Sequence, residues 1–141
     1  MQKELTYDDI KIGDRARFRK TIAEHDVYSF AGITGDFNPM HLDEEYAKST
    51  FFKGRIAHGM LTGSFISTVL GMKLPGPNTI YLSQTLKFLA PVRIGETIQA
   101  EVEVLEKDDA KRQIRLKTTV TRPDGKVVVD GEALVMKKDS L

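Results

Sequence analysis

The run Ile56-Ala-His-Gly-Met-Leu-Thr-Gly-Ser-Phe-Ile-Ser-Thr-Val-Leu-Gly-Met-Lys-Leu74 limits the possible folds more than any other part of the chain. It is apolar on nearly every side, so a helix made from it needs cover all round. Gly59, Gly63, Ser64, Ser67 and Gly71 are small enough to let neighbouring backbone approach closely. Pro75-Gly-Pro-Asn78 stops the helix. Its length, about 19 residues, matches a membrane span. His58, Ser64, Ser67 and Lys73 interrupt it, however, and no second span accompanies it. The segment therefore belongs inside a protein. The residues beyond Pro77 supply the cover. Thr79–Leu89, Thr97–Leu105, Gln113–Thr121 and Lys126–Met136 alternate apolar with polar residues or run apolar, as strands do. Pro91–Gly95 and Pro123-Asp-Gly125 turn between them. An antiparallel sheet wrapped around one central helix satisfies both patterns, an α+β arrangement.

Upstream, Ala16–Ile22 alternates as a half-buried strand. Thr21 and Glu24 have the spacing of a capping box. A helix from Ala23 carries Val27, Phe30, Ala31 and Ile33 on its apolar side and His25 on its polar side. Asp43–Lys48 opens with acids, as a short helix does. Glu106–Arg112 reads as a solvated hairpin tip. With no repeat, linker or low-complexity segment, residues 1–141 are expected to form one domain.

Composition excludes several classes of function. The 21 basic and 20 acidic residues give a net charge of +1, so no broad attraction to nucleic acid is expected. The absence of cysteine removes disulfides, thiol nucleophiles and Cys-based metal sites. His25, His41 and His58 lack helical ligand spacing, so no metal is expected. The N-terminal segment shows no apolar signal sequence, and the expected location is the cytoplasm, away from membranes.

The chemistry points to Phe30-Ala-Gly-Ile-Thr-Gly-Asp-Phe-Asn-Pro-Met-His41. Gly35 ends the preceding helix and Pro39 extends Asn38, so residues 35–39 form a shaped loop. Such a loop can turn Asp36 and His41 into one pocket, supplying a carboxylate and a titratable ring, with the Asn38 amide between them. The same residues also suit an Asx-turn that only satisfies local backbone groups.

These residues resemble the MaoC-like (hydratase 2) family of hot-dog proteins, and in particular its single-domain (R)-specific enoyl-CoA hydratases. The similarity rests on Phe30 to His41 followed by Ala47, on Ile56-Ala-His-Gly-Met-Leu61, and on Ile80-Tyr-Leu-Ser-Gln-Thr-Leu-Lys-Phe88. Met40 stands where the family pattern has Leu, Ile or Val, a volume-conserving change. The resemblance implies a hot-dog fold, with Asp36 and His41 positioning and activating a water and Asn38 orienting one of them or the substrate. It implies the Gly59 amide as oxyanion donor and a helix serine, Ser67, in the site, although Ser67 is as well explained by helix packing. His58, beside Gly59, is placed near the substrate with a structural role. No cofactor is implied, since coenzyme A is part of the substrate. The implied setting is fatty acid metabolism, including polyhydroxyalkanoate precursor supply.

Hydrating a 2-enoyl thioester needs a base on water, a proton for C2 and a home for charge on the thioester oxygen. Asp36 and His41 suit the first two needs, and the Gly59 amide at the positive end of a helix suits the third. Other readings stay open: a dehydratase on acyl carrier protein or on a branched or dicarboxylic acyl-CoA, a hot-dog thioesterase, or a non-catalytic acyl-CoA-binding protein. A homodimer or higher homo-oligomer is expected, paired through Thr79–Leu89, with CoA phosphates near Lys53, Lys87 or Arg93.

Overall fold

A computed structural model describes residues 3–139. Met1 and Gln2, the start of the segment read as lacking a signal sequence, lie outside that range. The element order is β1 (Arg15–Thr21), α1 (Glu24–Thr34), α2 (Pro39–Leu42), α3 (Glu44–Lys48), α4 (Gly59–Met72), β2 (Thr79–Gln84), β3 (Lys87–Phe88), β4 (Thr97–Asp108), β5 (Gln113–Thr121) and β6 (Val127–Lys137). The strands form one antiparallel sheet in the order β1-β4-β5-β6-β2, with β3 also paired to β6. The sheet curls around α4, which packs on β1, β4, β5 and β6. This is the hot-dog arrangement.

Alternation along β4 and β5 sends Ile98, Ala100, Val102, Val104, Ile114, Leu116 and Val120 inward, where all are buried. They meet Leu61, Ile66, Val69 and Leu70 of α4. Burying each such large side chain contributes roughly 1.5–3 kcal/mol. Thr118 is the polar exception on this face, and it accepts a hydrogen bond from Gln84 Nε2 at 2.8 Å.

Several local expectations are corrected. The helix α4 starts at Gly59 rather than Ile56, because residues 56–58 run extended. Ile56 bridges to Arg93, and the Ala57 N–H donates to the Val92 carbonyl at 2.8 Å. The helix is not covered all round, since Met60, Ser64, Ser67, Gly71 and Met72 are exposed in the single chain. The α1 N-cap is Ala23, whose N–H donates to Asp26 Oδ2 at 2.8 Å, while Thr21 instead shares a hydrogen bond with Thr97. Ile33 is 84% exposed, so only Val27 and Ala31 of α1 are fully buried. The tip read as Glu106–Arg112 is shorter, because β4 continues to Asp108 through a register shift between Val104 and Glu106.

Candidate active site

Three elements converge on one cavity. The helix α1 ends at Gly35, whose φ of 80° is left-handed, and its N–H returns to the Ala31 carbonyl at 2.8 Å. Next, the Thr34 hydroxyl donates to the Phe30 carbonyl at 2.8 Å and accepts the Asp36 N–H at 3.2 Å. Asp36 Oδ1 in turn accepts the Asn38 N–H at 3.3 Å. The Asn38 side chain caps α2, accepting the Met40 N–H at 3.0 Å, and Pro39 occupies the first helical position. That one-turn helix points His41 inward. The asparagine therefore acts locally: its side chain serves the cap, and its backbone N–H steadies the carboxylate.

His41 is buried, and its Nδ1 lies 2.7 Å from the Ile56 carbonyl oxygen. A carbonyl only accepts, so Nδ1 carries the proton and Nε2 presents a bare lone pair. Burial pushes the His41 pKa below its ordinary value of 6.5, and the neighbouring His58 pushes the same way; the Ile56 hydrogen bond and the Asp36 charge oppose them. One carboxylate oxygen of Asp36 and one ring nitrogen each of His41 and His58 lie within 4.8 Å of one another. The two imidazoles stack with centroids 3.9 Å apart and planes 30° from parallel. The three side chains are close enough for each to offer one ligand atom to a single metal ion.

Gly59 begins α4, and its N–H makes no hydrogen bond among the described residues. A Cβ at this position would sit 2.8 Å from Phe88 Cδ1, so the β3 aromatic ring packs directly on the helix start. Asp36, His41, His58 and Gly59 all line one cavity of about 560 Å³, walled by Phe51, Phe52 and the apolar 88–92 segment. Ser67 is not in it. It lines a separate groove of about 490 Å³ between α4 and β2, beside Phe30, Ser64 and Leu82. Asn38 lines neither.

Of the basic residues assigned to CoA phosphates, Arg93 is already committed, because its guanidinium holds the carbonyls of Gly54 (3.2 Å) and Phe52. Lys53 and Lys87 are exposed. Arg55, bonded to Glu24 and to Glu44 (3.1 Å), ties α1 to α3. Sequence reasoning gave no role to Thr34 or Phe88. Thr34 stands two residues before Asp36, a spacing at which a hydroxyl can take a backbone N–H. Phe88 has no comparable signal.

Comparison with known proteins gives consistent matches. Residues 9–125 match the model of the MaoC like domain. An (R)-specific enoyl-CoA hydratase of Rhodospirillum rubrum is 54% identical over 130 residues, covering 92% of this chain and 90% of that protein. A 3-hydroxybutyryl-CoA dehydratase of Methylorubrum extorquens is 50% identical over 93% of this chain and 83% of its own length. Among solved structures, the unliganded R-hydratase of Pseudomonas aeruginosa has a TM-score of 0.92 and 47% identity, covering 97% of this chain and 88% of that one.

Proposed function

We propose that this chain, which belongs to the MaoC-like domain family, is an (R)-specific enoyl-CoA hydratase that reversibly adds water to trans-2-enoyl-CoA, giving (R)-3-hydroxyacyl-CoA. It is a hydro-lyase. The observation that carries this reading is the pairing of a neutral imidazole, its Nε2 lone pair free, with a carboxylate in one cavity. A water held between Asp36 and His41 loses a proton to one of them as its oxygen bonds to C3. The electron pair of the alkene moves toward the thioester oxygen, where the Gly59 N–H at the positive end of α4 receives the developing charge. A proton then returns to C2 from the same pair. No cofactor takes part, since coenzyme A arrives with the substrate.

The test is to add protein to a trans-2-enoyl-CoA and follow the conjugated absorbance and free thiol together. Absorbance should fall with no thiol released. Thiol release at the same rate would indicate a thioesterase.

The pH profile is set by His41, which must be unprotonated at Nε2 to accept a hydrogen bond from the water it shares with Asp36. Burial pushes its pKa below the ordinary 6.5, so the acid-side half-loss of kcat/KM should fall below pH 6.5. A profile already half lost at pH 6.5 or above would contradict this.

The protein is proposed to work as a homodimer. β2 is an edge strand, and consecutive Ile80, Tyr81 and Leu82 are each 42% exposed beside the open stripe of α4. Unpaired apolar edges of this kind are covered in stable proteins. Sedimentation at assay concentration should give twice the chain mass, and Leu82→Lys should shift it toward the monomer. A fully active monomer would contradict the proposal. None of the helices among the described residues is long and apolar enough to cross a membrane.

A further inference from the structure

His58 takes no proton in the reaction above, yet it sits where the parts of that reaction meet. It is 2% exposed. Its Nε2 lies 3.0 Å from the backbone carbonyl oxygen of Asp36, and because a carbonyl only accepts, Nε2 carries the ring proton and donates it there. Its face lies on His41, with centroids 3.9 Å apart, and Phe30 packs against it at 4.8 Å. Its backbone caps α4 one residue before Gly59, and its carbonyl accepts the Thr62 N–H at 3.1 Å. Its Nδ1 is buried with no hydrogen-bond partner among the described residues.

Space-filling does not account for an imidazole at this point. An unpartnered buried nitrogen costs stability, and an apolar side chain of similar volume would pack without that cost. What the imidazole adds is the donor to Asp36. Among the described residues, all other hydrogen bonds to residues 35–38 come from within residues 31–41, over short sequence separations. The His58 bond reaches the loop from 22 positions away and fastens it to the start of α4.

We propose that His58 is a positioning residue for the hydration. One hydrogen bond to the Asp36 peptide, together with its stacked face on His41, fixes the spacing of carboxylate, imidazole and Gly59 amide. This role rests on the hydratase reading, because it concerns how two groups share one water. Misplacing such a group by about 1 Å is enough to cost roughly 10²-fold in rate.

Two near-isosteric replacements isolate the hydrogen bond. In His58→Gln the side-chain amide reaches the position of Nε2 and can donate to Asp36. In His58→Met the length is kept and the donor is lost. Both forfeit the ring stacking equally. With trans-2-enoyl-CoA, the Met variant should lose roughly 10²-fold in kcat with KM little changed, and the Gln variant should recover most of that loss. Melting temperatures on the same preparations separate these effects from unfolding. If the Met variant melts below assay temperature, His58→Asn, polar but too short to reach Asp36, replaces it with the same expectation. Equal kcat in the donor and donor-less variants, with the wild type active, overturns the role of His58 alone. A wild type that leaves the enoyl thioester untouched overturns the hydratase reading and this role with it.

Discussion

Asp36→Asn should reduce turnover by roughly three orders of magnitude, the middle of the range for a lost general acid or base, and leave the melting temperature nearly unchanged. The amide keeps an oxygen to accept the Asn38 N–H, and the backbone contacts from Thr34 and His58 do not involve the carboxylate. Only the charge and the proton acceptor are lost. His41 is a harder target. It is buried, bonded to Ile56 and stacked on His58, so His41→Ala also leaves a buried carbonyl unpaired, at a cost of about 1–3 kcal/mol. His41→Asn is cleaner, because its amide nitrogen can take the place of Nδ1 toward Ile56 while nothing replaces Nε2. It should match Asp36→Asn in turnover. The double variant should be little worse than either single one, because groups that act on one water are not additive. A double variant showing the product of the two losses would mean that Asp36 and His41 act separately.

Gly131→Ala should be the most destabilising single-methyl change in the sheet. A Cβ at Gly131 would sit 1.8 Å from the Thr85 carbonyl oxygen and 2.7 Å from its carbon. Both are backbone atoms, so no side-chain rotation relieves the clash. Thr85 is fixed there by two bonds to Glu132, its N–H to the carbonyl and its hydroxyl from the N–H, each 2.9 Å. The β2–β3 edge must therefore lift away from β6. The loss should be about 3 kcal/mol, seen as a fall in melting temperature of roughly 10 °C. Because Phe88 and Leu89 wall the cavity, activity should fall below what the folded fraction explains. An unchanged melting temperature would show that this crossing is loose.

How far the sequence reached depended on the kind of signal. Strict alternation placed β5 at Gln113–Thr121 with the observed bounds, since one buried face leaves no freedom in register. The apolar run from Ile56 misplaced the start of α4 by three residues, because periodicity cannot separate a buried extended lead-in from the helix it feeds. The same run hid an open side, since Ser64, Ser67 and Gly71 suit an uncovered stripe as well as close packing. The loop motif brought Asp36 and His41 together because Gly35, Asn38 and Pro39 act over neighbouring residues. Contacts across long sequence separations left no local trace. The His58 bond to Asp36, the Phe88 ring on Gly59 and the placement of Ser67 in a different groove are of this kind.

Hydration in oxygen-18 water tracks the reacting oxygen directly. Wild-type protein incubated with a trans-2-enoyl-CoA should place one heavy oxygen on C3 of an (R)-3-hydroxyacyl-CoA with the thioester intact, and Asp36→Asn should place almost none in the same time. Label appearing instead in a released carboxylate, or appearing at C3 equally fast with folded Asp36→Asn, would contradict the account.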